Sequence, residues 1–243
     1  MKLKGGVIII GSLAWDDHLD RKASDNLRKA WRKQYLSDTA TVTKVPIRYG
    51  RESEKRGDTY TMIFSKSCED SLGQGLIRPF NSDIISFEGL QLQAIALAGA
   101  EGIYKKGNLR LTSSWGSIGL LINPNLIEKD FASKELIQKN WSDIYYTYNA
   151  TFIAANYKMS DEEISPITDK GFLNINWQEE MKDYDILLAT PVVPKPKFFL
   201  SSFDIAKRMI DKHNQEYFQK NLEYSIKTFQ DGEILINLNN LKN

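Results

Sequence analysis

Residues 5–17 read GGVIIIGSLAWDD, and the interpretation of this stretch decides the fold. Residues 7–10 form a short, β-branched apolar run, the composition of a strand buried on both faces. The run stops at Gly11-Ser12, and Asp16 and Asp17 follow within a few residues. A strand ending in a Gly-Ser turn points backbone N–H groups into a crevice and lets a ligand approach without meeting a Cβ. Such amides suit a carboxylate or a carbonyl oxygen. A dinucleotide turn does not fit, because the glycines flank the strand and G-x-G-x-x-G is absent. Trp15, Asp16 and Asp17 would also place bulk and negative charge where phosphate sits. No P-loop pattern occurs. A secretory signal does not fit either. The apolar run is interrupted by glycines and followed by Asp16, Asp17 and His18, without a small-x-small cleavage site.

The rest of the chain supplies the frame around that turn. Residues 19–38 read as a helix with Leu27, Ala30, Trp31 and Tyr35 on one face and a solvated basic face opposite. Strands are expected over 40–53, 58–67 and 73–80, the last closed by Pro79. Ser86 is a helix-cap candidate, and the helix it opens should end near Gly99 or Gly102. A buried strand runs over 115–124 to Pro124. Beyond it, 126–158 is helix-like and aromatic, and 185–189 is a strand before a proline-rich turn, with 191–197 the best hinge candidate. A long helix or helix pair spans 202–232 with Gly232 as its stop, and a small terminal strand with a tail completes the chain. The order strand, helix, several strands, helix, strand, then mixed elements predicts an α+β fold. The texture change after Pro124 divides it into a core over 1–124 and an α-rich extension over 125–243, or makes one continuous domain.

Composition narrows the functions. The 243 residues carry a net charge of +1. No global field therefore points to nucleic acid or to an anionic membrane, and no stretch approaches the length of a membrane span. Cys68 is the only cysteine, so no intrachain disulfide forms, and a reducing, cytoplasmic setting is expected. It reads as a packed or surface side chain, not a nucleophile. His18 and His213 are the only histidines, too few for a zinc site. They are poorly placed for a triad with Ser12 as nucleophile. A carboxylate is the remaining proton carrier.

Gly11-Ser12-Leu13 followed by Trp15 and Asp16 resembles the Tyr-Gly-Ser-Leu-x-Trp-Asn signature of the ChaC-like gamma-glutamylcyclotransferases, with Ile10 in place of the tyrosine. Residues 45–64, VPIRYGRESEKRGDTYTMIF, resemble the family's next block, with Ser53, Arg56, Gly57 and Thr59 in its places. Residues 94–106, AIALAGAEGIYKK, resemble the helix that ends in the family's catalytic glutamate, here Glu101, followed by Gly102 and Tyr104. The three blocks come in family order and cover about the first half of the chain.

The resemblance implies a small barrel-like sheet with flanking helices. It implies cyclisation of a γ-glutamyl amine or peptide to 5-oxoproline, without metal or organic cofactor. Glu101 would take a proton from the α-ammonium group and return one to the leaving amine. The amides of Gly11, Ser12 and Leu13 would grip the glutamyl end, and Arg48, Arg51 or Arg56 would hold a carboxylate. Glu52 and Glu88 are the fallback acids. The plainer readings are a solvated Glu101, an arginine cluster on a strand edge, Asp16 and Asp17 facing water, and Trp141, Tyr145, Tyr146 and Tyr148 as packing. The rival function is a non-catalytic module that binds a small anionic ligand and meets a protein partner through the C-terminal half.

Overall fold

The computed structural model describes residues 1–17, 27–103, 110–148 and 151–242; His18 and Tyr104 lie outside them. The fold is mixed α+β, as the element order predicts. The buried run becomes β1 (Gly5–Ile9), with all five residues inside. It is the middle strand of a five-stranded sheet ordered β2 (Thr41–Val45), β5 (Gly73–Pro79), β1, β7 (Ile186–Ala189) and β6 (Gly119–Ile122). β1 pairs antiparallel with β5, Val7 opposite Arg78, and parallel with β7, Gly6 opposite Leu187. A central strand flanked on both sides must be apolar throughout, which is why residues 7–9 carry no polar side chain.

β7 comes from beyond residue 125 yet lies between β1 and β6. The sheet therefore crosses the expected division at 124, and one apolar core runs through both parts, from Leu3 to Leu238. The expected strand over 40–53 is two strands. Pro46 separates β2 from β3 (Ile47–Ser53), because proline withholds a ladder N–H. β3 forms a separate antiparallel hairpin with β4 (Thr59–Phe64).

α1 (Leu27–Tyr35) packs on α2 (Phe87–Glu101). Ser86 caps α2 as expected, its Oγ accepting from Gly89 N at 3.2 Å. Gly102, at φ 79°, ends the helix in the left-handed conformation that glycine adopts without a Cβ clash. In the second half, α3 (Leu126–Tyr146) buries Trp141 and Tyr145 as expected, whereas Tyr146 is exposed. The segment 202–232 gives α4 (Ser202–Asp211) and α5 (Glu216–Glu223). Gly232 does not stop them. It is the second residue of α6 (Asp231–Lys242), which replaces the expected terminal strand. Ile234 and Leu238, one helical turn apart, are the buried apolar positions, a spacing that overrides the β-branched composition of EILIN. The turn 191–197 is fastened to β3: Glu52 N donates to Lys195 O at 2.7 Å and Lys195 N to Gly50 O at 2.9 Å. No helix among the described residues is long and apolar enough to cross a membrane.

Candidate functional site

β1 delivers the chain to Gly11 and a 3-10 turn over Ser12–Ala14. Ala14 N bonds Gly11 O at 3.0 Å, and Asp16 N bonds Ser12 O at 2.7 Å. The amides of Ser12 and Leu13, at the start of this turn, have no acceptor within the turn itself. Gly11 is required by contact: a Cβ there would stand 2.5 Å from the hydroxyl of Tyr217 on α5. That hydroxyl accepts the Met62 N–H at 3.1 Å. Burial pushes the Tyr217 phenol pKa up, with the Glu101 carboxylate adding to the rise and Arg56 opposing it. α5 thus places a tyrosine against the turn, although the sequence carries isoleucine at position 10.

Glu101 arrives from the other side as the last residue of α2. The C-terminal end of a helix disfavours an acid, and Arg28 offsets this. Its Nη2 pairs with Glu101 Oε2 at 3.0 Å, and its Nε reaches the Ala100 carbonyl at 3.3 Å. The same guanidinium donates through Nη1 to Ser12 Oγ at 3.0 Å and to Asp16 Oδ2 at 3.3 Å. Turn and acid are therefore separated by one guanidinium and two hydrogen bonds. The side chains are 8% exposed for Arg28 and 15% for Glu101, so the pair is shielded while the carboxylate keeps an opening to solvent.

Arg28 is the residue that sequence reading missed, and only part of the basic face of α1 is solvated as expected: Lys29 and Lys33 are exposed, Arg28 and Arg32 are not. Arg28, Trp31 and Arg32 are the buried positions, while Leu27 and Ala30 are exposed. The signal was present in the spacing, since Arg28, Trp31, Arg32 and Tyr35 fall on one helical face. Asp16 and Asp17 also differ from expectation. Asp16 is buried between Arg28 and Arg56. Asp17 pairs with Arg32, whose Nη1 also donates to Leu13 O at 2.7 Å. Four arginine nitrogens thereby fix the loop that follows the turn.

Of the three expected arginines, only Arg56 joins this cluster. Its Nη2 binds Asp16, and its guanidinium lies over the Trp15 ring, 5.2 Å from the centroid. Trp15 in turn donates Nε1–H to Asn221 Oδ1 at 2.8 Å. Arg48 bonds Leu200 O at 3.3 Å, and Arg51 bonds Val193 O and lies over Trp115. Both make their contacts elsewhere, because Arg48 points to the opposite face of β3 from Tyr49, which meets Tyr217 with ring centroids 6.5 Å apart. Burial lowers the pKa of both Arg48 and Arg51. The fallback acids are also apart: Glu52 pairs with Arg208, and Glu88 sits in the first turn of α2, the end away from Glu101. Among the described residues no group of three or more His, Cys, Asp or Glu side chains could hold a metal ion. Cys68 is a buried free thiol, and His213 is exposed beyond the end of α4.

Comparison of the chain with family models, with curated proteins and with solved structures finds no match in any of the three.

Proposed function

We propose that this chain is a gamma-glutamylcyclotransferase-like enzyme that converts a γ-glutamyl amine or peptide to 5-oxoproline and a free amine. The observation that carries the reading is the Arg28 guanidinium, which binds Ser12 on the turn and Glu101 at the helix end. A carboxylate and a strand-end turn held on one guanidinium are what this reaction asks of a protein. The substrate brings its own nucleophile, the α-amino group, so catalysis reduces to bending the substrate and moving protons.

In this mechanism Arg28 orients Glu101 through Oε2, leaving Oε1 to take a proton from the α-ammonium group. The amine attacks the γ-carbonyl carbon to form the C–N bond of the five-membered ring. The amides of Ser12 and Leu13 receive the developing oxyanion. The C–N bond to the leaving amine then breaks as Glu101 returns a proton to that nitrogen, and the ring nitrogen passes its second proton to the departing amine, which leaves as an ammonium. Arg56 spends one nitrogen on Asp16, and its remaining N–H groups can hold the substrate's α-carboxylate. The buried thiol of Cys68 agrees with a reducing, cytoplasmic setting.

The second reading is a binding module without turnover. It is favoured by the pairing of Glu101 with Arg28 and of Asp16 with both Arg28 and Arg56, a set of charges already matched within the protein. A panel of γ-glutamyl amines and glutathione, assayed for 5-oxoproline, separates the two. Turnover that is lost in Glu101→Gln supports the enzyme. Calorimetric binding of a γ-glutamyl compound without product supports the module.

A further inference from the structure

A two-stranded hairpin that stands apart from a larger sheet has little stability of its own, so the place of its tip depends on what holds it. β3 and β4 form such a hairpin, and its tip brings Arg56 to the candidate site. The chain turns through Glu54–Arg56, then through Gly57 at φ 63° and Asp58 at φ 58°. Asp58 is a non-glycine residue in the left-handed region, a conformation that persists where the surroundings hold it.

The corner between α4 and α5 holds it. Arg208, in the last turn of α4, donates Nε–H to Asp58 O at 2.7 Å, pairs with Glu52 and lies over the Tyr60 ring, 5.6 Å from the centroid. Lys212 Nζ reaches Asp58 Oδ2 at 3.1 Å. Asn214 Nδ2 donates to the carbonyl of Arg56 itself at 3.1 Å, while its Oδ1 accepts from Glu216 N at the start of α5, also at 3.1 Å. The fit is close, since a Cβ on Gly57 would stand 2.7 Å from Asn214 Nδ2. These bonds fix the backbone on which Arg56 sits. Its guanidinium is guided separately, by Asp16 and by Trp15, whose indole is held by Asn221 on α5. Arg56 and Glu101 both act on the Tyr217 phenol, so the cation and the carboxylate face one region.

We propose that the hairpin tip is a carboxylate-reading arm set from the α4–α5 corner, in which Asn214 and Arg208 are positioning residues that aim Arg56 at the substrate's α-carboxylate and make that group a condition of tight binding. The inference rests on the cyclotransferase reading. A γ-glutamyl compound carries an ammonium and a carboxylate on one carbon, and Glu101 and Arg56 match the two charges. A guanidinium fork selects a carboxylate by geometry as well as by charge, so an arm that shifts loses the selection.

The test measures KM and kcat for the γ-glutamyl amine that the parent protein converts fastest. The competing ligand is its 4-aminobutyryl counterpart, which lacks only the α-carboxylate. In the parent, the inhibition constant of the counterpart should exceed the KM of the γ-glutamyl compound at least tenfold. In Asn214→Ser and Arg208→Met that KM should rise at least fivefold with kcat within twofold, the mark of lost binding. The inhibition constant of the counterpart should stay within twofold, which a general disturbance of the fold would not allow. Asn214→Ser keeps a hydroxyl for the Glu216 amide, and it decides the matter if Arg208→Met fails to fold. An unchanged KM in the folded variants, two constants that rise together, or a counterpart that binds the parent as tightly as the γ-glutamyl compound overturns the proposal while leaving the cyclotransferase reading in place. A parent protein that converts no γ-glutamyl compound overturns both.

Discussion

The Arg28 guanidinium meets the Glu101 carboxylate at 3.0 Å, joining α1 to the end of α2. Because the same group also holds Ser12 Oγ, one side chain sets the spacing between the strand turn and the acid. Removing one partner of a buried ion pair typically costs about 3–5 kcal/mol, because the other charge is left unmatched. Arg28→Met should therefore lower unfolding free energy by about that amount in urea denaturation. Arg28→Met/Glu101→Gln should recover part of the loss. A double variant as unstable as the sum of its singles would show that the two residues are not coupled.

Gly11 and Tyr217 should be coupled by contact. Gly11→Ala places a Cβ 2.5 Å from the phenol oxygen but 3.4 Å from the ring carbon behind it. Overpacking of this kind costs about 1–3 kcal/mol. Tyr217→Phe removes the oxygen, and with it the partner of the Met62 N–H, at about 1 kcal/mol. In the Tyr217→Phe background Gly11→Ala should cost clearly less than in the parent protein. Thermal melts of the four variants read the difference.

Asp231 gives a pH signature. Burial raises its pKa from 3.8 to about 6, although Thr228 donates to it from both its amide and its hydroxyl. The raised folded value means that its contribution to stability is fully present below pH 3.8 and is lost as pH rises through about 6. Asp231→Asn keeps the acceptor oxygen that caps Thr228 and removes the charge. The variant should be more stable than the parent at pH 8, by on the order of 2–3 kcal/mol, and about equal to it at pH 4. Denaturant midpoints at the two pH values decide it, and a parent protein at least as stable as the variant at pH 8 would contradict the assignment.

Gly102 terminates the helix that carries Glu101. At φ 79° a Cβ is strained, and Gly102→Ala should cost about 1 kcal/mol. The 5-oxoproline assay should fall more steeply than stability does, because the substitution moves the backbone beside the acid. An unaltered rate would place Glu101 outside the reaction.

Much of this frame is legible in the sequence, for local reasons. The apolar run before Gly11, the Ser86 cap and Gly102 each act over a few residues, and each appears in the structure where the sequence places it. What escapes a linear reading is long-range. Nothing near Gly11 in sequence announces Tyr217, and the burial of Asp16 depends on Arg28 and Arg56 from two separate elements. Arg48 and Arg51 read as neighbours of Arg56, yet strand alternation and the irregularity between Tyr49 and Arg51 send their side chains to different partners. The terminal helix was obscured by its isoleucines, whose strand preference yields to the one-turn spacing of Ile234 and Leu238 once α4 offers a surface to pack on.

The most direct measurement is 5-oxoproline release from γ-glutamyl amines and glutathione by the purified protein and by Glu101→Gln, with circular dichroism confirming that both are folded. The proposed mechanism predicts release by the parent protein and a fall of at least a hundredfold in the variant, the lower range of what a general acid–base group contributes. Undiminished release by a folded Glu101→Gln protein, or no release from any γ-glutamyl compound by the parent, would contradict it.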